Sequence, residues 1–196
     1  MAERGRPREF ALDDALDRAI EVFWRQGYEG TTLENLTTAM DVSRPSLYAA
    51  FGNKEETFKR AVERYATVDM AYIDEAIAQP TARQVAEHYL YSNVSAITAP
   101  GRPAGCLSVQ GGLSASSEHQ RVVSFLSESR AAGEAKFAAR FQRAIDEGDL
   151  AADENARELA KYLATVTGGL AVQATGGATR QELRHIAERA LLGFPQ

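Results

Sequence analysis

The segment Thr31–Glu55, TTLENLTTAMDVSRPSLYAAFGNKE, constrains the fold of this chain more than any other. Its apolar residues recur at spacings of three and four, which is the period of an amphipathic helix. Thr31 with Glu34, and Asn53 with Glu56, have the spacing of a capping box at a helix start. The segment therefore predicts two short helices joined by a tight turn at Asp41-Val42 and followed directly by the start of a third helix.

The second of these helices has one buried and one exposed side. Ser43 is a candidate N-cap, and Pro45 falls in the first turn, where a missing amide hydrogen costs nothing. Leu47 and Phe51 are its inward-facing residues, and Gly52 suits a helix stop. The helix is short, so its outward face must serve something other than the core.

That outward face carries Arg44, Ser46, Tyr48 and Ala49. A cation and two hydroxyls can donate to phosphates and base edges, and a small residue allows close approach to a groove. DNA binding is therefore the leading hypothesis. The alternative is a plain packing unit, with Tyr48 half-buried in a core and Lys54 an ordinary solvated charge.

Taken together, these residues resemble a TetR/AcrR-type transcriptional regulator. The resemblance covers about the first third of the chain. It rests on Arg18–Gly27, Tyr28–Thr32, Val42-Ser43, Leu47-Tyr48, Phe51 and Lys54-Glu55. One departure is Ala50, where the family often has a histidine that contacts the DNA backbone.

The resemblance implies roles for individual residues. Tyr48 and Lys54 would contact the DNA backbone, as would Thr31 or Thr32, while Arg44 and Ser46 would read bases. The predicted DNA-binding set is Thr31, Thr32, Arg44, Pro45, Ser46, Tyr48, Ala49 and Lys54.

The remaining helical periods predict an all-α chain. We expect a flexible basic arm at residues 1–9, a three-helix helix-turn-helix domain at 10–55 with its motif at about 32–51, and a larger ligand-sensing and dimerisation domain at 56–196. The arm either reaches into a minor groove or serves as a solubilising tail. Beyond the head, the expected helices are Asn53 to about Ile77, Thr81 to about Thr98, about Cys106 to Ser114, about Glu118 to Glu147, Glu154 to Thr175 and Arg180 to Leu192.

The last two helices combine apolar stripes with small residues such as Gly168, Gly169, Ala171 and Ala174. The resemblance implies that this pair docks against its copy as a four-helix bundle, giving a homodimer that doubles the contacts over a palindrome. The alternative is that the stripes only close the core of one subunit.

The resemblance also implies an unknown small-molecule effector that shifts the population of two head spacings. The candidate pocket residues are Tyr89, Asn93, Phe125, Phe137, Tyr162 and Thr165. Cys106 is either a redox switch or a small buried hydrophobe.

Charge and composition bound the remaining functions. The net charge is −5, and the first 65 residues hold ten Lys/Arg against twelve Asp/Glu, so DNA binding depends on local rather than summed charge. A cluster at Asp13, Asp14, Asp17 and Glu21 is expected on the solvent face of the first helix. Binding to non-specific DNA should be weak and sensitive to salt.

Other classes of protein are less well supported. A lone cysteine, no signal peptide and no membrane-length apolar run predict a cytoplasmic protein. No nucleophile–base pair or phosphate loop is present, so we expect no enzyme and no cofactor. His88, His119 and His185 lie far apart in sequence, so no metal site is expected. We predict a ligand-responsive repressor that binds a palindromic operator as a homodimer, and the alternative is a helical dimeric protein-interaction module.

Overall fold

The computed structural model describes residues 6–111 and 119–195, and the side chains of residues 12–111 and 119–195. All regular elements in these ranges are helices, as the periodicity predicts. The helices are α1 Arg6–Gly30, α2 Leu33–Met40, α3 Arg44–Phe51, α4 Lys54–Val68, α5 Tyr72–Ile77, α6 Ala82–Ile97, α7 Leu107–Gln110, α8 Gln120–Asp146, α9 Ala156–Thr175 and α10 Arg180–Leu192.

An N-terminal head forms where α1 packs against α2 and along α4, and α3 contacts both α2 and α4. Phe23 of α1 meets Phe58 of α4 edge to face, with the ring centroids 4.9 Å apart. Leu36, Leu47 and Phe51 are buried in the same core. Burying these side chains stabilises α2 and α3, which have 8 residues each and are too short to persist alone.

The second layer of the molecule consists of α5–α10. Helices α8 and α9 form its most extensive packing, and α6 lies against both α9 and α10. Its core includes Leu90, Leu126, Phe141 and Leu163, which are fully buried. Helix α4 contacts α1 of the head and also α7 and α8, so it physically joins the head to this layer.

The predicted helix from Asn53 to Ile77 is wrong in one respect, because it is broken after Val68. The amide of Asp69 still bonds the Tyr65 carbonyl at 2.9 Å, but the chain then turns before α5 begins. The Asp69 carboxylate pairs with Arg102, whose guanidinium also lies 5.3 Å from the Trp24 ring centre. These tertiary contacts stabilise a turn that contains no glycine or proline and was therefore not predicted from the sequence.

The first helix begins at Arg6, so residues 6–9 of the predicted flexible arm are helical, while residues 1–5 lie outside the described residues. Pro7 is compatible with this start because it occupies the first turn. The short helix expected around Cys106–Ser114 is observed only as α7, and residues 112–114 fall outside the described part of the chain. Within the described ranges, no helix has the length and hydropathy needed to cross a lipid bilayer.

Candidate nucleic-acid interface and interior cavity

The turn between α2 and α3 is defined by caps on both sides. Thr32, not Thr31, is the N-cap of α2, and its hydroxyl accepts from the Asn35 amide at 3.1 Å while the Asn35 side chain accepts from the Thr32 amide at 2.9 Å. Asp41 ends α2 with a left-handed φ of 55°, a conformation that Asp tolerates better than most residues. The predicted capping box at Thr31 and Glu34 is therefore displaced by one residue.

Thr31 is displaced from the cap because its side chain faces inward. It is only 1% exposed, and its hydroxyl donates to the Gly27 carbonyl at 2.7 Å. Gly27 adopts φ 69°, which interrupts α1 and turns that carbonyl toward the threonine. Of the two threonines in the predicted DNA-binding set, only Thr32 is exposed.

Helix α3 is held by its inner face and leaves its outer face open. The Ser43 hydroxyl accepts from the Ser46 amide at 3.2 Å, and Pro45 stands in the first turn as the sequence indicates. Leu47 and Phe51 anchor the helix in the head core. The positions of the cap, the proline and both anchors match those predicted from the sequence.

The outer face of α3 is exposed along its length, from Arg44 through Pro45 and Ser46 to Tyr48 and Ala49. Tyr48 is 50% exposed, which is unusual for an aromatic residue in a small helical head. This arrangement presents one cation, one phenol and one hydroxyl on the exposed face of one helix, suited to phosphate and base-edge contacts.

Lys54 begins α4 beside this surface. Its ammonium group lies 4.4 Å from the centre of the Tyr28 ring, a cation–π contact that orients the side chain. Partial burial lowers the pKa of Lys54, and the nearby charge of Glu29 opposes that shift. The Tyr28 ring in turn meets the ring of His119, the residue before α8, edge to face, with centroids 5.0 Å apart.

Part of the acidic cluster on α1 is neutralised within the head. The Arg64 guanidinium binds both oxygens of Asp17, at 2.6 and 2.8 Å, and lies 3.0 Å from the Asp13 carboxylate. The hydrogen bond to Asp17 raises the pKa of Arg64 above its ordinary value. Asp13 and Asp17 therefore keep about half of their side-chain surface in solvent, as predicted, and also pair with α4.

An interior cavity of about 320 Å³ lies between helices α4 to α9. Its inner wall is formed by uncharged side chains, and its rim by charged ones. The lining includes Val62, Tyr65, Met70, Ile73, Tyr89, Asn93, Cys106, Ser108, Phe137 and Thr167 inside, with Asp74, Arg130, Glu134 and Lys136 at the exposed edge.

The polar groups inside the cavity are tied to one another. The Tyr65 hydroxyl donates to Sγ of Cys106 at 3.4 Å, and Oγ of Ser108 lies 3.1 Å from the same sulfur. The Tyr89 hydroxyl lies 3.2 Å from Oγ1 of Thr167. Burial raises the pKa of Tyr65 well above its ordinary value and that of Tyr89 to about 12, so both phenols stay neutral.

Three of the six predicted pocket residues, Tyr89, Asn93 and Phe137, line this cavity. Tyr162 and Thr165 instead lie in a separate groove between α9 and α10, and the Tyr162 hydroxyl donates to the Ala190 carbonyl at 2.7 Å. Phe125 is absent from both linings and sits under the Lys59 ammonium group at 5.8 Å. The side chains of Phe125, Tyr162 and Thr165 point away from the cavity because their positions on α8 and α9 face other neighbours.

Sequence reasoning missed Tyr65, Met70 and Ser108, and it did not place Cys106 in a cavity. Their helical period indicates core positions, and the cavity exists only because several distant helices leave space between them. Within the described residues, no three His, Cys, Asp or Glu side chains cluster closely enough to hold a metal ion.

The outer face of α9 and α10 carries exposed apolar side chains, Val172, Ile186 and Leu192. Ile186 is 55% exposed. A side chain added at Gly169 would meet nothing within 4 Å in the single subunit. In contrast, Ala171 and Ala174 are buried in the subunit's own core.

Comparison with known proteins agrees with this geometry. The family described as bacterial regulatory proteins, tetR family, matches residues 15–61, which span most of α1 through the first half of α4. The chain is 29% identical to the HTH-type transcriptional repressor ComR of Escherichia coli (strain K12), over 98% of this chain and 93% of that protein. It is 30% identical to the HTH-type transcriptional regulator YezE of Bacillus subtilis (strain 168), over 81% and 83%.

Among solved structures, a cysteine mutant of the TetR family transcriptional regulator CifR, complexed with 26-base-pair double-strand operator DNA, is 41% identical with a TM-score of 0.89. That likeness covers 93% of this chain and 96% of CifR. A TetR regulator from Rhodococcus sp. RHA1 is 38% identical over 93% and 98%, with a TM-score of 0.64. By fold, by the exposed α3 and by these likenesses, the chain belongs to the TetR family of bacterial transcriptional regulators.

Proposed function

We propose that this protein is a repressor that binds a palindromic operator as a homodimer and releases it when a small molecule occupies the cavity. The observation that carries the proposal is α3, a short helix anchored by Leu47 and Phe51 whose whole opposite face is exposed. A regulator 41% identical over nearly the whole chain has been solved on operator DNA, which supports the same use here.

The N-terminal end of α3 enters the major groove in this proposal. Arg44 and Ser46 then read base edges, and Pro45 and Ala49 allow close approach. Tyr48, Thr32 and Lys54 contact phosphates on the flanking strands and fix the register. Thr31 has no direct part, because its hydroxyl is committed to the Gly27 carbonyl.

The proposed dimer forms through the outer face of α9 and α10. Exposed apolar side chains at Val172 and Ile186 are costly to leave in water. The open surface at Gly169 would allow a partner helix to approach closely. A two-fold axis through this face would present two copies of α3 to the two half-sites of a palindrome.

In this proposal residues 10–55 form the DNA-reading head, while residues 56–196 bind the effector and dimerise. The protein acts in the cytoplasm, with Cys106 reduced and buried. Helix α4 connects the two functions, since Tyr65 lines the cavity and Lys54 lies beside the DNA-reading surface.

An electrophoretic shift with the gene's own upstream DNA tests the proposal. Arg44→Ala should weaken specific binding by about 1–3 kcal/mol and relax the sequence preference. Tyr48→Ala should also weaken binding. Arg157→Ala, which removes an exposed cation at the start of α9, serves as the charge-matched control and should bind as the wild type does.

Size-exclusion chromatography of the same variants separates the two candidate functions. The repressor proposal requires that both α3 variants remain dimers while losing DNA affinity. Unchanged DNA affinity in both variants would instead favour a helical dimer that acts through protein contacts alone.

A further inference from the structure

Among the described residues that line the cavity, only Asn93 has a buried side-chain atom without a hydrogen-bond partner. Asn93 is 3% exposed, and its Nδ2 donates to the Tyr72 hydroxyl at 3.1 Å. Its Oδ1 is buried and has no partner in the described part of the chain. A buried acceptor left unpaired costs about 1–3 kcal/mol, which a bound donor would recover.

The inner wall around Asn93 is uncharged. Val62, Met70, Ile73 and Phe137 supply apolar surface, and the hydroxyls of Tyr65 and Tyr89 are engaged with other cavity residues. An ion placed among these groups would lose its hydration without gaining a counter-ion.

The charged residues of the lining lie at the exposed rim and are already engaged. Lys136 binds the Asp74 carboxylate at 2.8 Å, and Lys161 binds Glu134 at 2.6 Å. The Arg130 guanidinium donates to the Ser108 carbonyl at 2.6 Å. These groups can guide a ligand at the entrance, but they do not provide an ionic partner beside Asn93.

The volume limits the size of the occupant. A cavity of about 320 Å³ is at the small end of the range for ligand pockets. It has room for about ten groups of the size of a water molecule. A compact molecule with one ring and a short substituent fits this limit.

We infer that the effector is a small, uncharged, mostly apolar molecule with a hydroxyl or similar donor that pairs with Oδ1 of Asn93. This inference rests on the proposed ligand-responsive function and adds the chemical class of the ligand. It assigns recognition to one acceptor on α6 and excludes carboxylates and amines as good ligands.

Isothermal titration calorimetry of the full-length protein with ethylbenzene and three of its para-substituted derivatives tests the inference. p-Ethylphenol carries a donor, p-ethylanisole only an acceptor, ethylbenzene neither, and p-ethylbenzoate a negative charge. We expect p-ethylphenol to bind about tenfold more tightly than ethylbenzene, since one net hydrogen bond contributes about 1.4 kcal/mol. p-Ethylanisole should bind no better than ethylbenzene, and p-ethylbenzoate should be the weakest.

Asn93→Leu is the matched variant, because it removes the acceptor and keeps a side chain of similar size. It should bind ethylbenzene at least as well as the wild type and lose the tenfold preference for p-ethylphenol. Thr165→Val, an exposed change outside the cavity, should leave that preference unchanged.

Several results would overturn the inference, even if Asn93→Leu fails to fold, because the wild-type comparison is sufficient. They are equal binding of p-ethylphenol and ethylbenzene, tightest binding of p-ethylbenzoate or p-ethylanisole, or no binding of any neutral probe. Operator binding without any probe is measured separately. If the protein does not bind the operator, the repressor proposal is wrong. If it still prefers p-ethylphenol, the assignment of the ligand class stands.

Discussion

The ring of Trp24 meets that of Tyr65 edge to face, with the centroids 5.0 Å apart and the planes at 79°. Trp24 belongs to α1 of the head, whereas Tyr65 lines the cavity and donates to Sγ of Cys106. This aromatic contact therefore joins the cavity wall to the N-terminal head. Trp24 is the only tryptophan of the chain, so its fluorescence reports on this contact.

Tyr65→Ala should destabilise the protein by about 3–5 kcal/mol, because it removes a buried ring and leaves a cavity. Chemical denaturation followed by Trp24 fluorescence measures the loss. Val68→Ala on the same helix is the control, since Val68 is exposed and its change should stay within about 0.5 kcal/mol. Similar losses for both variants would show that Tyr65 is not a core contact.

Lys54→Gln should weaken DNA binding uniformly across sequences and reduce the salt dependence. Each phosphate contact contributes about 0.9 to the slope of log K against log salt, so each subunit should lose roughly one unit. Titrations of operator and unrelated DNA at several salt concentrations provide the measurement. Lys59→Gln is the control, because Lys59 is paired with Glu55 at 2.7 Å, and an equal loss of slope there would contradict the assignment.

Gly169→Leu should convert the dimer to a folded monomer. The single subunit has space for the new side chain, and replacing a helical glycine favours the helix by up to about 1 kcal/mol. A partner helix packed over Gly169 would instead collide with the leucine. Light scattering gives the mass and circular dichroism gives the helix content, and a fully dimeric variant would place the interface elsewhere.

Stability should fall in alkaline solution as buried tyrosines ionise. Burial raises the pKa of Tyr89 from 10.0 to about 12, partly offset by its hydrogen bond with Thr167. Below about pH 10 the phenol is protonated in both states, and its contribution is complete. As the pH rises toward 12, Tyr89 loses its proton in the unfolded chain before it does so in the folded protein. The free energy of unfolding therefore falls by about 2–3 kcal/mol.

Tyr89→Phe should remove that share of the alkaline loss while lowering stability at neutral pH by about 1 kcal/mol, because the hydrogen bond to Thr167 is lost. Urea denaturation at several pH values between neutrality and the alkaline limit provides both numbers. An alkaline loss of the same size in the variant would show that other buried phenols, such as Tyr65, account for it.

The head was predictable because its signals are local. Ser43, Pro45 and Gly52 mark the ends of α3 within a few residues of sequence, and Leu47 and Phe51 mark its buried side. The predicted N-cap of α2 was wrong by one residue, since both Thr31 and Thr32 have a side chain that can cap a helix. The choice between them depends on the turn at Gly27, which draws the first threonine inward.

The break after Val68 and the cavity were not predictable in the same way. The helical period continues through Asp69, and only its pairing with the distant Arg102 distinguishes it from a continuing helix. Tyr89, Asn93 and Phe137 were found because each stands on the inner side of a long helix. Ser108 and Cys106 enter the cavity through long-range packing of α7, which leaves no trace in local spacing.

The early end of α4 makes it a stiff lever with the cavity near one end and the DNA-reading surface at the other. The stretch from Tyr65 back to Lys54 spans roughly 16 Å, at about 1.5 Å per residue. A tilt of about 5° around the Tyr65 end would carry Lys54 by about 1.4 Å, and two symmetric heads would change their separation by up to twice that distance. A hydrogen bond lengthened by that amount is broken. A ligand that displaced the Tyr65 ring would therefore be enough to break the proposed contact between Lys54 and a DNA phosphate.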